Sequence, residues 1–208
     1  VENIELIDDD KVKNFVGKYL PEHFLLNDKE KVSMGPLALQ NCYFEQRKEL
    51  ADAMREVKNI AIDVAKDFEK ISGRKYELFE KYCLNDADVA IIVLNSTAGT
   101  AKTVVDKLRD EGIKVGLLKP RLFRPFPFEE IANALSHLKA IAVMDKADSL
   151  NGMCGPLYSD VVTALSKEAV HIPAKNYIYG LGGKDVTPTD IETVFNDLLY
   201  AVKTGEGL

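Results

Sequence analysis

Three prolines and two arginines follow an alternating apolar run in GIKVGLLKPRLFRPFP, residues 112–127, and nothing else in the chain restricts its fold as strongly. Pro120, Pro125 and Pro127 each lack a backbone donor and fix their own φ, and each biases the residue before it toward extended backbone. A strand over Ile113–Leu118 must therefore stop abruptly. The chain then leaves it as a stiff cationic ledge, Lys119 to Pro127, and a short helix follows from Phe128 through Ile131, Leu135 and Leu138.

The pattern repeats around this segment. DVAIIVL, within Ala87–Leu94, is a continuous apolar run of the kind buried on both faces of a sheet. A helix from about Thr100 to Glu111 leads to the Ile113 strand. Ala140–Met144 predicts a third strand, Leu157–Leu165 a third helix and Tyr177–Tyr179 a short fourth strand. The last helix carries its own start signal, with Thr187 as cap, Pro188 in the first turn and Asp190 three residues after the cap. Ile191, Val194, Phe195, Leu198, Leu199 and Val202 then lie on one stripe. Tyr76–Phe79 can add an edge strand, antiparallel to the rest. The fold class is α/β, a mostly parallel sheet flanked by helices.

Two segments precede it. Residues 1–46 read as an arm or linker, with a short helix after the acidic Asp8, Asp9 and Asp10, a break at Pro21 and a loop around Ser33, Met34, Gly35 and Pro36. From Arg47 to Ile71, Leu50, Met54, Ile60 or Ala61, Val64, Phe68 and Ile71 recur every three or four residues, with Val57 between them. This predicts one long amphipathic helix ended by Gly73. The α/β domain is accordingly taken as 47–208, helix included. The chain opens on Val1 rather than Met and runs at once into a polar segment, as a piece of a larger polypeptide would.

Composition narrows the class of partner. A formal net charge of -6 and a pI near 5.2 argue against generic nucleic-acid binding, which needs surplus Lys and Arg to displace counterions. No run approaches the roughly 18 apolar residues of a membrane span. Cys42, Cys83 and Cys154 are far apart, with no CxxC and no neighbouring His, so free thiols in a reducing cytoplasm are expected.

In a sheet of this kind, chemistry gathers in the loops that leave the carboxyl ends of strands. Four such loops are readable. Asn95–Lys102 offers hydroxyls, a glycine and a helix start, with Thr100 and Lys102 as candidate contacts. It is not a P-loop, because Ala101 stands where GxxxxGK[ST] needs Gly, and an ordinary polar-capped turn is the simpler alternative to anion or partner contact. On the ledge, Arg121 and Arg124 can fork onto a carboxylate or phosphate, or pair with acidic residues across an interface, which is the favoured reading. Asp145 and Lys146 open the third loop, 145–156. Charges there usually form an ion pair that fixes the loop, with acid–base work and a dipole-activated Cys154 as minority readings. In the fourth, Gly182 and Gly183, with Gly180, Lys184 and Asp185, make either a phosphate nest or a tight turn against a neighbouring subunit. His23, His137 and His171 are isolated from one another and from the cysteines. No Gly-x-Ser-x-Gly elbow or triad appears, which sets aside a free-standing hydrolase.

A strand, proline-rich elbow and short helix in this order resemble the transketolase C-terminal-like domain of thiamine-diphosphate enzymes. A wider set of segments resembles the C-terminal portion of the α subunit of the pyruvate:ferredoxin oxidoreductase (pyruvate synthase) family. These are Met34–Leu37, Gly73–Tyr76, Thr100–Lys102, Lys114–Leu118 with Arg124–Pro127, Ala142–Lys146 with Gly155–Leu157, and Gly180–Pro188. The likeness runs through nearly the whole chain. It departs at Lys146 and Lys184, where the family typically shows Arg, and at Leu150-Asn151, where Phe-Gly is more usual. Related branched-chain, indolepyruvate and 2-oxoglutarate enzymes share the architecture, so the 2-oxoacid stays open.

The resemblance implies an assembly domain rather than a catalytic one. Thiamine diphosphate, Mg and iron–sulfur clusters would lie elsewhere in the complex. The partners would be the preceding pyrimidine domain of the α subunit, a thiamine-binding β subunit, a γ subunit and a ferredoxin-like δ subunit. Pyruvate, coenzyme A and ferredoxin would serve the whole enzyme. No catalytic, cofactor-binding or metal residue is carried over to this chain. The alternative is an autonomous anion-, nucleotide- or coenzyme A-binding α/β module.

Overall fold

The computed structural model describes residues 5–35, 37–150 and 152–207. Val1, Pro36 and Asn151, each singled out above, lie outside them. Internal contacts divide the chain into two units with the division after Tyr76. The long helix thus groups with the residues before it, whereas the expectation drawn from sequence began the α/β domain at residue 47.

The first unit is helical. Asp8 caps helix α1 (Asp9–Val16), its carboxylate accepting from the Asp10 and Lys11 amides at 3.0 and 3.4 Å. Helix α2 (Tyr43–Ser72) is longer than the periodicity predicts at its start, and its 30 residues span about 45 Å. It ends as expected at Gly73, whose φ of +68° closes the helix while its amide donates to the Glu69 carbonyl at 2.8 Å. Phe68 near that end packs against Phe15 of α1 and against Tyr76, with ring centroids 6.0 and 5.7 Å apart. No residue of α1 or α2 is buried.

In the second unit, strand β2 (Val89–Val93) is apolar and buried at every position. Around it the described strands form one sheet in the order β1-β3-β2-β4-β5. Strands β3 (Val115–Pro120), β4 (Ala140–Asp145) and β5 (Ala174–Ile178) run parallel to β2. The expected edge strand is present and antiparallel, at β1 (Phe79–Tyr82), three residues later than predicted. Strand β3 runs on to Pro120 rather than stopping at Leu118, because β1 supplies a partner there, with Phe79 opposite Pro120. The fourth parallel strand precedes its predicted position, since Ala174–Asn176 rather than Tyr179 continues the ladder with β4.

Successive strand residues face opposite sides, so one polypeptide fills two cores. Val89, Ile91, Leu117 and Ala142 pack with helices α3 (Thr97–Asp110) and α6 (Pro188–Thr204). Ala90, Ile92, Leu118 and Val143 pack with α4 (Phe128–Leu135) and α5 (Pro156–Lys167). Helix α6 starts as predicted: Asp190 accepts from the Thr187 amide at 2.8 Å, and the Thr187 hydroxyl accepts from the Asp190 amide at 3.3 Å. Gly116 of β3 is required by close approach, because a Cβ there would lie 2.8 Å from the Cys83 carbonyl. No helix among the described residues is long and apolar enough to cross a membrane.

Candidate functional site

Because β2 to β5 are parallel, the four loops picked out in the sequence all leave the same edge of the sheet. Neighbouring strands β2 and β4 part company there. The chain from β2 passes through α3 toward β3, and that from β4 passes through α5 toward β5, on the opposite face. A crevice at such a reversal of strand order is where open α/β sheets receive ligands or partners.

The first loop is shorter than expected. Helix α3 begins at Thr97 rather than Thr100, which draws Ala98 and Gly99 into its first turn and leaves Asn95, at φ +57°, to make the bend. Thr97 accepts a hydrogen bond from the Tyr179 hydroxyl at 2.9 Å, tying this loop to the fourth. Burial, opposed by that bond and assisted by the charge of Asp145, holds the Tyr179 phenol above its usual pKa. Thr100 is half-buried on α3.

Lys102 and Arg121 share one partner. Both pair with Glu80 of β1, Arg121 at 3.0 Å, and the Lys102 ammonium also lies 5.2 Å from the centre of the Tyr82 ring. Burial works against a charge on Glu80, but the Lys102 hydrogen bond and the charges of Lys102, Arg121 and Lys119 outweigh it, and the carboxyl sits below its ordinary pKa. Arg124 donates to Asp160 of α5 at 2.8 Å and to the Phe123 carbonyl at 2.7 Å, with its guanidinium over the Phe123 ring. The ledge arginines, favoured above for acidic residues across an interface, thus have carboxylates from their own chain.

The third loop corrects an expectation. Asp145 and Lys146 do not form the ion pair proposed for them: Lys146 is exposed, and Asp145 is turned into the protein. Asp145 is buried, 4% exposed. It accepts from the Leu157 and Tyr158 amides at 2.8 and 3.1 Å and from the Asn176 side-chain amide at 2.9 Å. Those backbone donors are the first free N–H groups of α5, since Pro156 has none and Gly155 has no capping side chain. Asn176 also accepts from the Gly155 amide at 2.7 Å and donates to the Val143 carbonyl. Gly155 is needed because a Cβ on it would sit 2.2 Å from the Asp145 carboxyl carbon. Ionic pairing lost to capping because strand end and helix start face each other across a tight buried gap.

In the fourth loop, Gly180, Gly182 and Gly183 all have positive φ, between +63° and +82°, and Leu181–Gly183 forms a 3-10 turn. Gly180 lies against the Lys146 stem, with its absent Cβ 3.0 Å from Lys146 Cε. Lys184 and Asp185 line an open groove of ≈ 420 Å³ with Met144, Tyr177, Tyr179 and Val186. The structure therefore gathers Lys146 with Gly180, and Lys184 with Asp185. Lys102 and Arg121 meet at Glu80, and Arg124 stands apart with Asp160. Sequence reasoning missed Glu80, Asp160 and Asn176. A polar Asn inside a short strand was the available sign for the last.

A doubly covered, mostly parallel sheet with its loops gathered at a reversal of strand order defines the general class, an α/β domain built to present one edge. The chain belongs to the pyruvate:ferredoxin oxidoreductase core domain II family, whose model matches residues 87–191, from the turn before β2 into α6. It is 42% identical over 199 residues to pyruvate synthase subunit PorA of Thermotoga maritima, covering 96% of this chain and 50% of that protein. It is 39% identical over 204 residues to ketoisovalerate oxidoreductase subunit VorA of Pyrococcus furiosus, covering 98% and 52%. Among solved structures it is similar to a split gene transketolase in an inactive tetramer, with TM-score 0.48 and 20% identity over 61% of this chain and 43% of that one. The chain spans about half the length of the curated relatives it matches.

Proposed function

We propose that this chain is the assembly portion of the α subunit of a thiamine-diphosphate-dependent 2-oxoacid:ferredoxin oxidoreductase, with pyruvate as the 2-oxoacid. The observation that carries the reading is the coincidence of the family match at 87–191 with the sheet unit and its loop edge. Identity to pyruvate synthase subunits supports pyruvate, and the VorA relative marks branched-chain 2-oxoacids as the competing class. The chemistry supplied elsewhere in such an enzyme is oxidative decarboxylation, with coenzyme A taking the acyl group and electrons passing through iron–sulfur clusters to ferredoxin.

This chain's residues fit a bracing part. The reading assigns thiamine diphosphate, Mg and clusters to the rest of the complex. Its partners are the pyrimidine portion of the same subunit and the β, γ and δ subunits, and its compartment the cytoplasm. Thr100, Lys146, Gly182, Gly183, Lys184 and Asp185 are the proposed contacts on the loop edge. Lys102, Arg121, Arg124 and Asp145 act behind them by holding β1, the ledge and α5 in place.

The test is reduction of a viologen dye by the assembled enzyme, dependent on 2-oxoacid and coenzyme A, with the α subunit supplied with or without these residues. Loss of assembly and activity only in the truncated form is expected; full activity without them overturns the proposal. The groove beside Lys184 favours a second reading, direct binding of coenzyme A or another anion. Saturable micromolar binding of coenzyme A by the chain alone would move the function there.

A further inference from the structure

The apolar stripe of α2 has a stricter period than a surface helix needs. Leu50, Met54, Val57, Ala61, Val64 and Phe68 are separated by four, three, four, three and four residues, and Ile71 continues the series. That alternation is the 3.5-residue repeat by which one helix presents a straight seam to another. At its far end the seam is occupied, by Phe15 against Phe68. From Leu50 to Val64, about 21 Å of helix, none of it is buried: Leu50 and Val64 are about half exposed, at 48% and 51%, Met54, Val57 and Ala61 are partly exposed, and Ile60 beside the seam is 57% exposed.

The charges on the rest of the helix say what kind of surface covers it. Lys48 and Arg55 both pair with Asp52, Lys66 pairs with Asp63 and Lys70 with Asp67. The helix carries seven acidic and six basic residues. A lipid surface or nucleic acid would demand an excess of unpaired cations, so the fitting occupant is apolar protein. A second copy of α2 is disfavoured by the positions beside the seam. There a self-paired coiled coil places complementary charges, whereas this helix, besides Lys58, has Ala51, Ala53, Ile60 and Ala65. Those residues widen the face. The relatives, moreover, are about twice as long as the stretch this chain matches.

We propose that the open face of α2 from Leu50 to Val64 is the seat on which the other half of the subunit docks, through a helix that continues the seam. The proposal rests on the reading of this chain as part of an oxidoreductase α subunit, and it names the contact through which that subunit holds together.

The experiment grafts this chain in place of the matched residues of the Thermotoga maritima subunit. A benzoylphenylalanine photocrosslinker is set at Val57, with a control at the exposed Asn59. After illumination, peptide mapping is expected to find Val57 adducts within the same polypeptide, on the Thermotoga half, at least ten-fold above the Asn59 control. Adducts on a second copy or on any other surface, or none above control, overturn the proposal. Sedimentation of this chain alone gives an arm that does not depend on the graft folding. A monomer is expected, and a dimer dissolved by Val57→Asp with Val64→Asp hands the face to a second copy and overturns the proposal. Viologen reduction by the graft without the crosslinker is read separately. An active graft with no Val57 adduct removes the docking seat alone, while an inactive graft with the adduct keeps the seat and counts against the oxidoreductase reading.

Discussion

The two units of this chain use apolar residues in opposite ways. In the sheet unit, β2 and β4 are buried throughout and β3 at every position but Lys119, and among the described residues the buried apolar set runs from Leu84 to Ala201. In the helical unit a 30-residue helix carries an apolar stripe as regular as any in the sheet unit, yet no residue of it is fully buried. Helices of that length hold their own backbone hydrogen bonds, but lasting stability comes from burying a face. Periodicity therefore reports that a face is meant to be covered and is silent on what covers it. The sheet unit encodes both halves of its contact in one sequence; on the docking proposal above, the helical unit encodes one.

The largest expected effect breaks this contrast directly. Phe195 is fully buried between α6 and the sheet, and Phe195→Ala should lower the stability of the chain by about 3–5 kcal/mol. Met54→Ala, on the α2 stripe, should change it by less than about 1 kcal/mol in the same chain. Urea unfolding followed by circular dichroism measures both. Equal losses would mean that α2 is already covered, and the contrast would fail.

Next in size is the joint of β4 with α5. Gly155 has an extended backbone, with φ -66° and ψ 157°, that any residue can adopt, so Gly155→Ala tests space alone. The new Cβ would displace the Asp145 carboxylate and its three hydrogen bonds, at about 3 kcal/mol. Asp145→Asn keeps the volume but removes the charged acceptor from the α5 amides, at about 2 kcal/mol. Thermal unfolding ranks the two. A neutral Asp145→Asn would show that the amides of α5 do not depend on the carboxylate.

The elements of the sheet unit were legible because each rests on a local signal: an apolar run for β2, a capping box for α6, prolines after β3. The antiparallel edge strand was legible in kind and displaced in place, since its limits depend on where β3 needs a partner and not on its own sequence. The loops at the carboxyl edge were legible as loops, and their contents were not. Arg121, Arg124 and Asp145 were rightly picked as charged groups at strand ends, but their partners Glu80, Asp160 and Asn176 lie tens of residues away and become visible only when the sheet sets the register. Asp145 and Lys146, adjacent in sequence, invited pairing, and the alternation of a strand sent them to opposite environments.

The smallest expected effect sharpens the comparison at the sheet's free edge, where β1 is held by charge as well as by its ladder. Glu80 has a folded-state pKa below its ordinary value of 4.5. A depressed carboxyl contributes stability that is fully present above the unfolded pKa and is lost as the pH falls through the folded one. Between neutral pH and pH 5 the Glu80 contacts with Lys102 and Arg121 should therefore be intact, and they should weaken progressively below about pH 4.5. Glu80→Gln should cost about 1 kcal/mol or less at pH 7, as partly exposed ion pairs do. It should also flatten the acid limb of the stability curve. Hydrogen exchange of the β1 amides on either side of pH 4.5 measures the effect where it acts. If wild-type and Glu80→Gln chains lose protection in parallel as acid is added, β1 is held by its pairing with β3 alone, and the free edge needs no electrostatic clasp.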